Sequence, residues 1–269
     1  MSRSPRATSS IASAASAVWP PVVFGIVFLA AWQAAVRVLD LKPYFLAPPS
    51  EIWSEFVQNA SFIWAAASVS GANALVGLLV GTTLGVSMAF VLARFNVVNK
   101  MLTPLAVALN AVPIFVLVAV FNNMFSITSE VPRRLMVTLV VYFIVLVNVA
   151  RGLRQVDPTQ LDLMRSYAAG DVVVLRKLRV PNAVPYLFTA LTIAAPASVI
   201  TAFVSEYFGG SQNGLGSRIV SNIAISSNAT AWAYVFAACL LGLAFYLVSV
   251  SLERVATPGG AGRRRGDGA

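Results

Sequence analysis

The sequence predicts an all-α integral membrane protein with six transmembrane helices and a short cytoplasmic helix between spans four and five. Three observations predict it. Of 269 residues, 58% are apolar and only 11% charged, with a mean hydropathy of +0.79, whereas a soluble domain carries about 25% charged residues. The apolar residues gather into six uncharged runs, and a hydrocarbon core about 30 Å thick takes about 20 such residues in a helix. The 19 Lys and Arg outnumber the 10 Asp and Glu, giving a net charge of +9. On so apolar a chain this points to loops facing an anionic cytoplasmic leaflet, not to nucleic acid. There is no His and one Cys, Cys239. An intrachain disulfide is therefore excluded, and neither a metal site nor a catalytic residue is assigned.

The runs are Ala7–Val36, Phe56–Ala93, Met101–Thr128, Leu135–Ala150, Val180–Ser205 and Ile219–Leu252. In the first, an uncleaved helix is expected to begin near Val18, since the segment is long for a signal peptide and no clear cleavage site follows. Residues 1–17 then form a disordered basic tail. The second run carries Gly77, Gly81 and Gly85 at four-residue spacing, a small-residue stripe that lets another helix backbone approach closely. The third contains Asn110 and Pro113. The fourth, at 16 residues, is the shortest, and Arg133, Arg134 and Arg151 are expected to snorkel at its ends. The fifth region carries Pro181, Pro185, Pro196 and Thr201; such prolines suit either a helix that moves or a kink in a static bundle. Glu206, at the outer end of this span, reads either as a gate or substrate contact paired with Arg133 or Arg134, or as an interfacial charge. Asn110, Pro113, Thr201 and Glu206 are the candidate pore or gate positions, though polar residues in membrane helices, Asn73 and Thr192 among them, also serve as bridges between helices. Residues 256–269 read as a second basic tail, leaving 18–255 as the membrane domain.

With both termini inside, the basic residues split 14 to 5 in favour of the cytoplasm, the asymmetry that sets orientation. The loop between spans four and five holds six of the 19. Pro158 suits a first helical turn with Asp157 as its cap. Leu161, Met164 and Ala168 recur at helical spacing, Ala169 and Gly170 end the helix, and a second helical stretch reaches Arg179 ahead of Pro181. An amphipathic helix of this kind lies in the lipid interface or docks into a groove of a soluble partner.

This loop resembles the signature of inner-membrane permease subunits of binding-protein-dependent ATP-binding cassette importers: Glu-Ala-Ala, three residues, Gly, nine residues, Ile, one residue, Leu-Pro. With the family Gly at Ala168, the Glu falls at Asp162, the Ala pair at Leu163 and Met164, the Ile at Leu178 and the Leu-Pro at Val180 and Pro181. Only Pro181 is identical, and Gly170 is an alternative source of the turn. The segments Leu46-Ala-Pro-Pro-Ser-Glu-Ile-Trp53, Arg165-Ser-Tyr, Pro181-Asn-Ala-Val-Pro-Tyr-Leu-Phe188 and Asn213-Gly-Leu-Gly216 are similar to the nitrate, taurine, aliphatic sulfonate and thiamine-precursor branch.

The resemblance implies a multi-pass subunit of a bacterial cytoplasmic (inner) membrane, both termini cytoplasmic, that performs no bond chemistry. It implies a permease homodimer working with cytoplasmic ATPase subunits, which carry the ATP and Mg, and with an extracytoplasmic solute-binding protein. No G-x-x-x-x-G-K-[ST] run occurs in this chain, so the phosphate cradle belongs to the partner. A coupling helix at about residues 159–169 would seat in the ATPase. Asp162 would orient it through a cap or ion pair, Leu163, Met164 and Tyr167 would fill the cleft, and Arg165, Ser166, Ala169 and Gly170 complete the segment. Outer segments 39–50, 126–134 and 208–228 would dock the binding protein. The alternative is a stand-alone secondary transporter or channel, usually marked by an intramembrane charge or an inverted repeat.

Overall fold

The computed structural model describes residues 9–42, 45–94, 114–125, 129–209 and 213–256, and every regular element among them is helical. Helix α1 spans Ser9–Val38, starting well before Val18. The expected tail is thus helical from Ser9, because the Ser/Ala run to Ala17 is rich in the strongest helix former and holds no Gly or Pro. Helix α2 (Pro49–Gln58) opens with proline in its first turn and stops at Asn59, whose side chain bonds back to Glu55 O at 3.0 Å. The second span therefore begins at Ala60 with α3 (Ala60–Arg94), not at Phe56.

Helix α4 (Ile114–Met124) is the described part of the third run; Asn110 and Pro113 lie outside the described residues. Helix α5 covers Val131–Arg154, 24 residues where the uncharged run has 16. The connection that follows α5 contains α6 (Pro158–Ser166), the single turn α7 (Asp171–Val174) and a π-helical turn at Leu175–Arg179. Helix α8 (Val180–Gly209) passes through Pro185 and Pro196 as one helix.

The sixth uncharged run is two helices, α9 (Leu215–Ala224) and α10 (Asn228–Ala256). Between them Ser226 turns with φ 59°, and the Ser227 carbonyl takes the Ala231 amide at 3.0 Å to start α10. Every residue of that turn is uncharged, so hydropathy does not register it. Four described helices are long and apolar enough to cross a membrane: α3, α5, the continuous stretch 171–209, and α10.

The centre of the bundle is the α3–α5 seam. The helices run parallel, with Gly77 against Val137, Gly81 against Val141 and Gly85 against Val145, a constant offset of 60 residues. A Cβ at Gly81 would stand 2.7 Å from the Thr138 carbonyl oxygen and 2.8 Å from Val141 Cβ; at Gly85 it would stand 2.9 Å from the Tyr142 carbonyl oxygen. Helix α8 closes on the other side of α5 through small residues, among them the buried Ala190, Ala194 and Ala202. Aromatic edge-to-face pairs tie α1 and α2 to α10: Trp32 with Trp232 at 5.7 Å and Phe56 with Phe236 at 5.2 Å between centroids.

Gly81→Val is expected to destabilise the bundle by on the order of 1–3 kcal/mol through overpacking, read as a lower unfolding midpoint in detergent. Gly242→Ala on α10, where an added Cβ meets nothing within 4 Å, should leave the midpoint unchanged or raise it slightly.

Candidate functional site

The α5–α8 connection is anchored at both ends. Asn182, in the first turns of α8, donates through Nδ2 to the Gly152 and Gln155 carbonyls at 2.7 and 2.9 Å, satisfying the C-terminal end of α5. Tyr186 donates its hydroxyl to Gln155 Oε1 at 3.2 Å. Gly152 is obligatory in this clamp, since a Cβ there would stand 2.8 Å from the Tyr186 ring. Arg154 reaches across to the Leu92 carbonyl at 3.1 Å, tying the end of α3 to the same place.

Helix α6 is locked at each terminus by its own sequence. Asp157 accepts the Thr159 amide at 2.8 Å and Pro158 takes the first turn, as the sequence predicts. At the other end the Ala169 amide bonds to Met164 O at 3.0 Å and the Ala168 amide to Arg165 O at 2.9 Å. These are the paired bonds of a Schellman motif. The residue in the left-handed conformation is Ala168, with φ 49°, at the position of the family glycine. Gly170 does not substitute for it: its φ of −68° and ψ of 162° are extended backbone. Of the two positions the sequence left open, the hydrogen bonds that end α6 put the reversal at Ala168.

Asp162 pairs with Arg165 at 3.0 Å within α6, both side chains exposed, an arrangement worth a few tenths of a kcal/mol at the surface. Ser166 Oγ donates to the Asp162 carbonyl. Nothing on α6 is buried: Leu163 is 56% and Tyr167 75% exposed, and Met164 is partly covered. Pro181 follows the π turn with Val180 between them; the Val180 amide bonds to the Leu175 carbonyl, and Pro181 has no amide of its own to extend the ladder. The result is a short rigid helix with apolar side chains in the open, hung between fixed points.

A second constellation lies at the opposite end of the seam. Glu206, on α8, is 1% exposed. Its Oε2 accepts from Ser70 Oγ at 2.7 Å and from the Gly216 amide at 3.2 Å. Ser70 Oγ also accepts the Leu215 amide at 2.9 Å. Beside it, Glu130 Oε2 accepts from Asn73 Nδ2 at 2.7 Å and from Arg133 at 2.8 Å, while Arg134 Nε donates to Asn73 Oδ1 at 3.0 Å.

Arg133 is fully buried, so it does not snorkel. Its ion pair with Glu130 and its bond to the Ser129 carbonyl at 2.8 Å offset the cost of desolvation. Glu206 is likewise enclosed by the bundle. Asn73 and Thr192 act as bridges, the latter reaching Glu253 Oε2 at 3.2 Å. Thr201 is buried in α8. Sequence reasoning singled out Glu206 and the Asn213–Gly216 turn separately but missed Ser70 and Glu130. The available signal was the pair of glycines: a Cβ at Gly214 would overlap the Glu206 carboxylate, and one at Gly216 would stand 2.8 Å from the Tyr207 amide.

Residues 81–259 match the family described as Binding-protein-dependent transport system inner membrane component. The chain is similar to a probable ABC transporter permease protein of Haemophilus influenzae, 28% identical over 232 residues that cover 86% of this chain and 90% of that one. It is also similar to the formylaminopyrimidine transport permease protein ThiX of Halalkalibacterium halodurans, 26% identical over 241 residues covering 88% and 94%. Its fold is similar to that of a chain in inward-facing conformations of the MetNI methionine ABC transporter, with TM-score 0.58 at 16% identity, covering 73% of this chain and 94% of that chain.

Ala168→Gly should stabilise the end of α6 by on the order of 0.5–1 kcal/mol, the relief of left-handed strain less glycine's greater unfolded entropy. Slower amide exchange at Tyr167–Ala169 checks this, with Gly170→Ala, in open space, expected to change nothing there.

Proposed function

The chain belongs to the inner membrane components of binding-protein-dependent transport systems, and from that premise we propose how its parts divide the work. It is the transmembrane permease subunit of an ATP-binding cassette importer, with ATP hydrolysis on a separate polypeptide. Helix α6 is the coupling helix. The single observation that carries this reading is a helix capped at one end and reversed by a Schellman motif at the other, presenting Leu163 and Tyr167 to the outside from two anchored ends. A partner cleft would cover those side chains. Because Asn182 binds α8 to the last carbonyls of α5, a push on α6 moves both helices together instead of dissipating in a loop.

Six spans complete the layout, with α1 and α4 joining the four long helices. The parallel course of α3 and α5 supports the third, since the chain must come back to the level where α3 begins and α4 lies on that return. The 14 to 5 distribution of basic residues supports cytoplasmic termini and a cytoplasmic α6. The Glu206 end of the seam then faces outward, where α9, with 39–50 and 126–134, receives the binding protein. A second copy of the chain completes the pathway, and the cargo is a small organic solute or anion.

Tyr167→Ala and Met164→Arg are each expected to lower ATPase recovered with the tagged chain from mild detergent by at least about tenfold, the scale of losing an interface anchor, with membrane insertion intact. Unchanged recovery would remove α6 from the coupling role.

A further inference from the structure

The first residue of α9 follows Gly214, an N-cap position with no side chain to offer. Ser217 Oγ accepts the Gly214 amide at 3.1 Å, but the amides inside the helix still need acceptors. They find them on two other helices: the Leu215 amide on Ser70 of α3 and the Gly216 amide on Glu206 of α8, with Ser70 bonded to the same carboxylate oxygen. We propose that Ser70 and Glu206 cap α9 in trans and thereby make it a transmission element, so that α9 cannot shift without displacing the outer parts of α3 and α8. This rests on the reading above, in which α9 faces the binding protein, and assigns the residues through which docking would be felt.

Four features support it. A carboxylate at a helix N-terminus is favoured by the helix dipole as well as by hydrogen bonding. Gly214 and Gly216 leave room for that carboxylate and for the α8 backbone only because they lack Cβ atoms. Glu206 is buried among Ser70 and Asn73 of α3 and Arg133 of α5, so the carboxyl group that serves α9 is held in position from neighbouring helices. Leu215 and Ile219 pack into a core cluster with Ala231 and Tyr234 of α10, while Val220 and Ile223 are exposed, with Ile225 just beyond the helix end, so α9 is held at its N-terminus and on one side and is open elsewhere.

Two readouts test the proposal. In the detergent-purified chain, Ser70→Ala with Glu206→Ala should speed amide exchange at Leu215–Arg218 by about 5- to 30-fold, the scale of losing a cap, and by more than at the glycine–valine part of the α3–α5 seam. Glu206→Gln keeps an acceptor and should lie between. Unchanged exchange at α9 in the double variant overturns the cap. In the importer complex in proteoliposomes, on a Cys239→Ser background, maleimide labelling of Ile223→Cys should differ between the resting complex and the complex trapped with Mg-ATP and vanadate. The double alanine variant should lose that difference while retaining its ATPase. A difference that survives, or none in the parent, overturns transmission. If no ATPase accompanies the unmodified chain, the coupling role of α6 fails instead, and the exchange readout still decides the cap.

Discussion

The glycine–valine seam between α3 and α5 is the constraint on which the remaining architecture depends. Membrane helices gain little from hydrophobic association, since lipid tails are as apolar as leucine, so close backbone approach and dispersion must supply the packing. Gly77, Gly81 and Gly85 provide it by removing every Cβ from the contact line, and the branched valines opposite fill the groove. Because the two helices run parallel at a fixed offset, the same register carries beyond the glycines in both directions. Toward one end it sets Asn73 beside Glu130 and Arg134; toward the other it sets Arg154 against the Leu92 carbonyl. Both candidate sites are thus extensions of one seam.

The two ends put this register to different chemical use. At the Glu206 end, the buried Arg133 is compensated by Glu130: removing that carboxylate would leave the guanidinium desolvated and without its ion pair. At the α6 end the polar contacts are mostly side chain to helix carbonyl, and the one ion pair on α6 itself is exposed. Stiffness there comes from backbone bonds at the helix termini, and the apolar side chains stay uncommitted.

The helical class, the long apolar segments, the glycine stripe and the Asp157–Pro158 start of α6 were all legible in the sequence, because each rests on local spacing or on composition. What sequence did not reveal depends on partners far along the chain. Ser70 and Glu206 are 136 residues apart, and the burial of Arg133 follows from neighbours that no window contains. The starts of the second and sixth spans were misplaced for another reason: Asn59 and the Ile225–Ser227 turn carry no charge, so hydropathy runs through them. At Ala168 the family pattern offered the position but the residue did not, because alanine gives no local signal for a left-handed backbone; the bonds around it impose one.

The constant offset along the seam also governs where this chain can change length. Residues gained or lost between Arg94 and Glu130 leave the pairing of α3 with α5 untouched. One residue inserted between Asn73 and Gly77 would turn everything on one side of it by about 100° relative to the other. Either the glycines would leave the valines or Asn73 would leave Glu130. Related chains that keep both contacts should therefore carry their insertions and deletions outside α3 and α5, whatever solute they move.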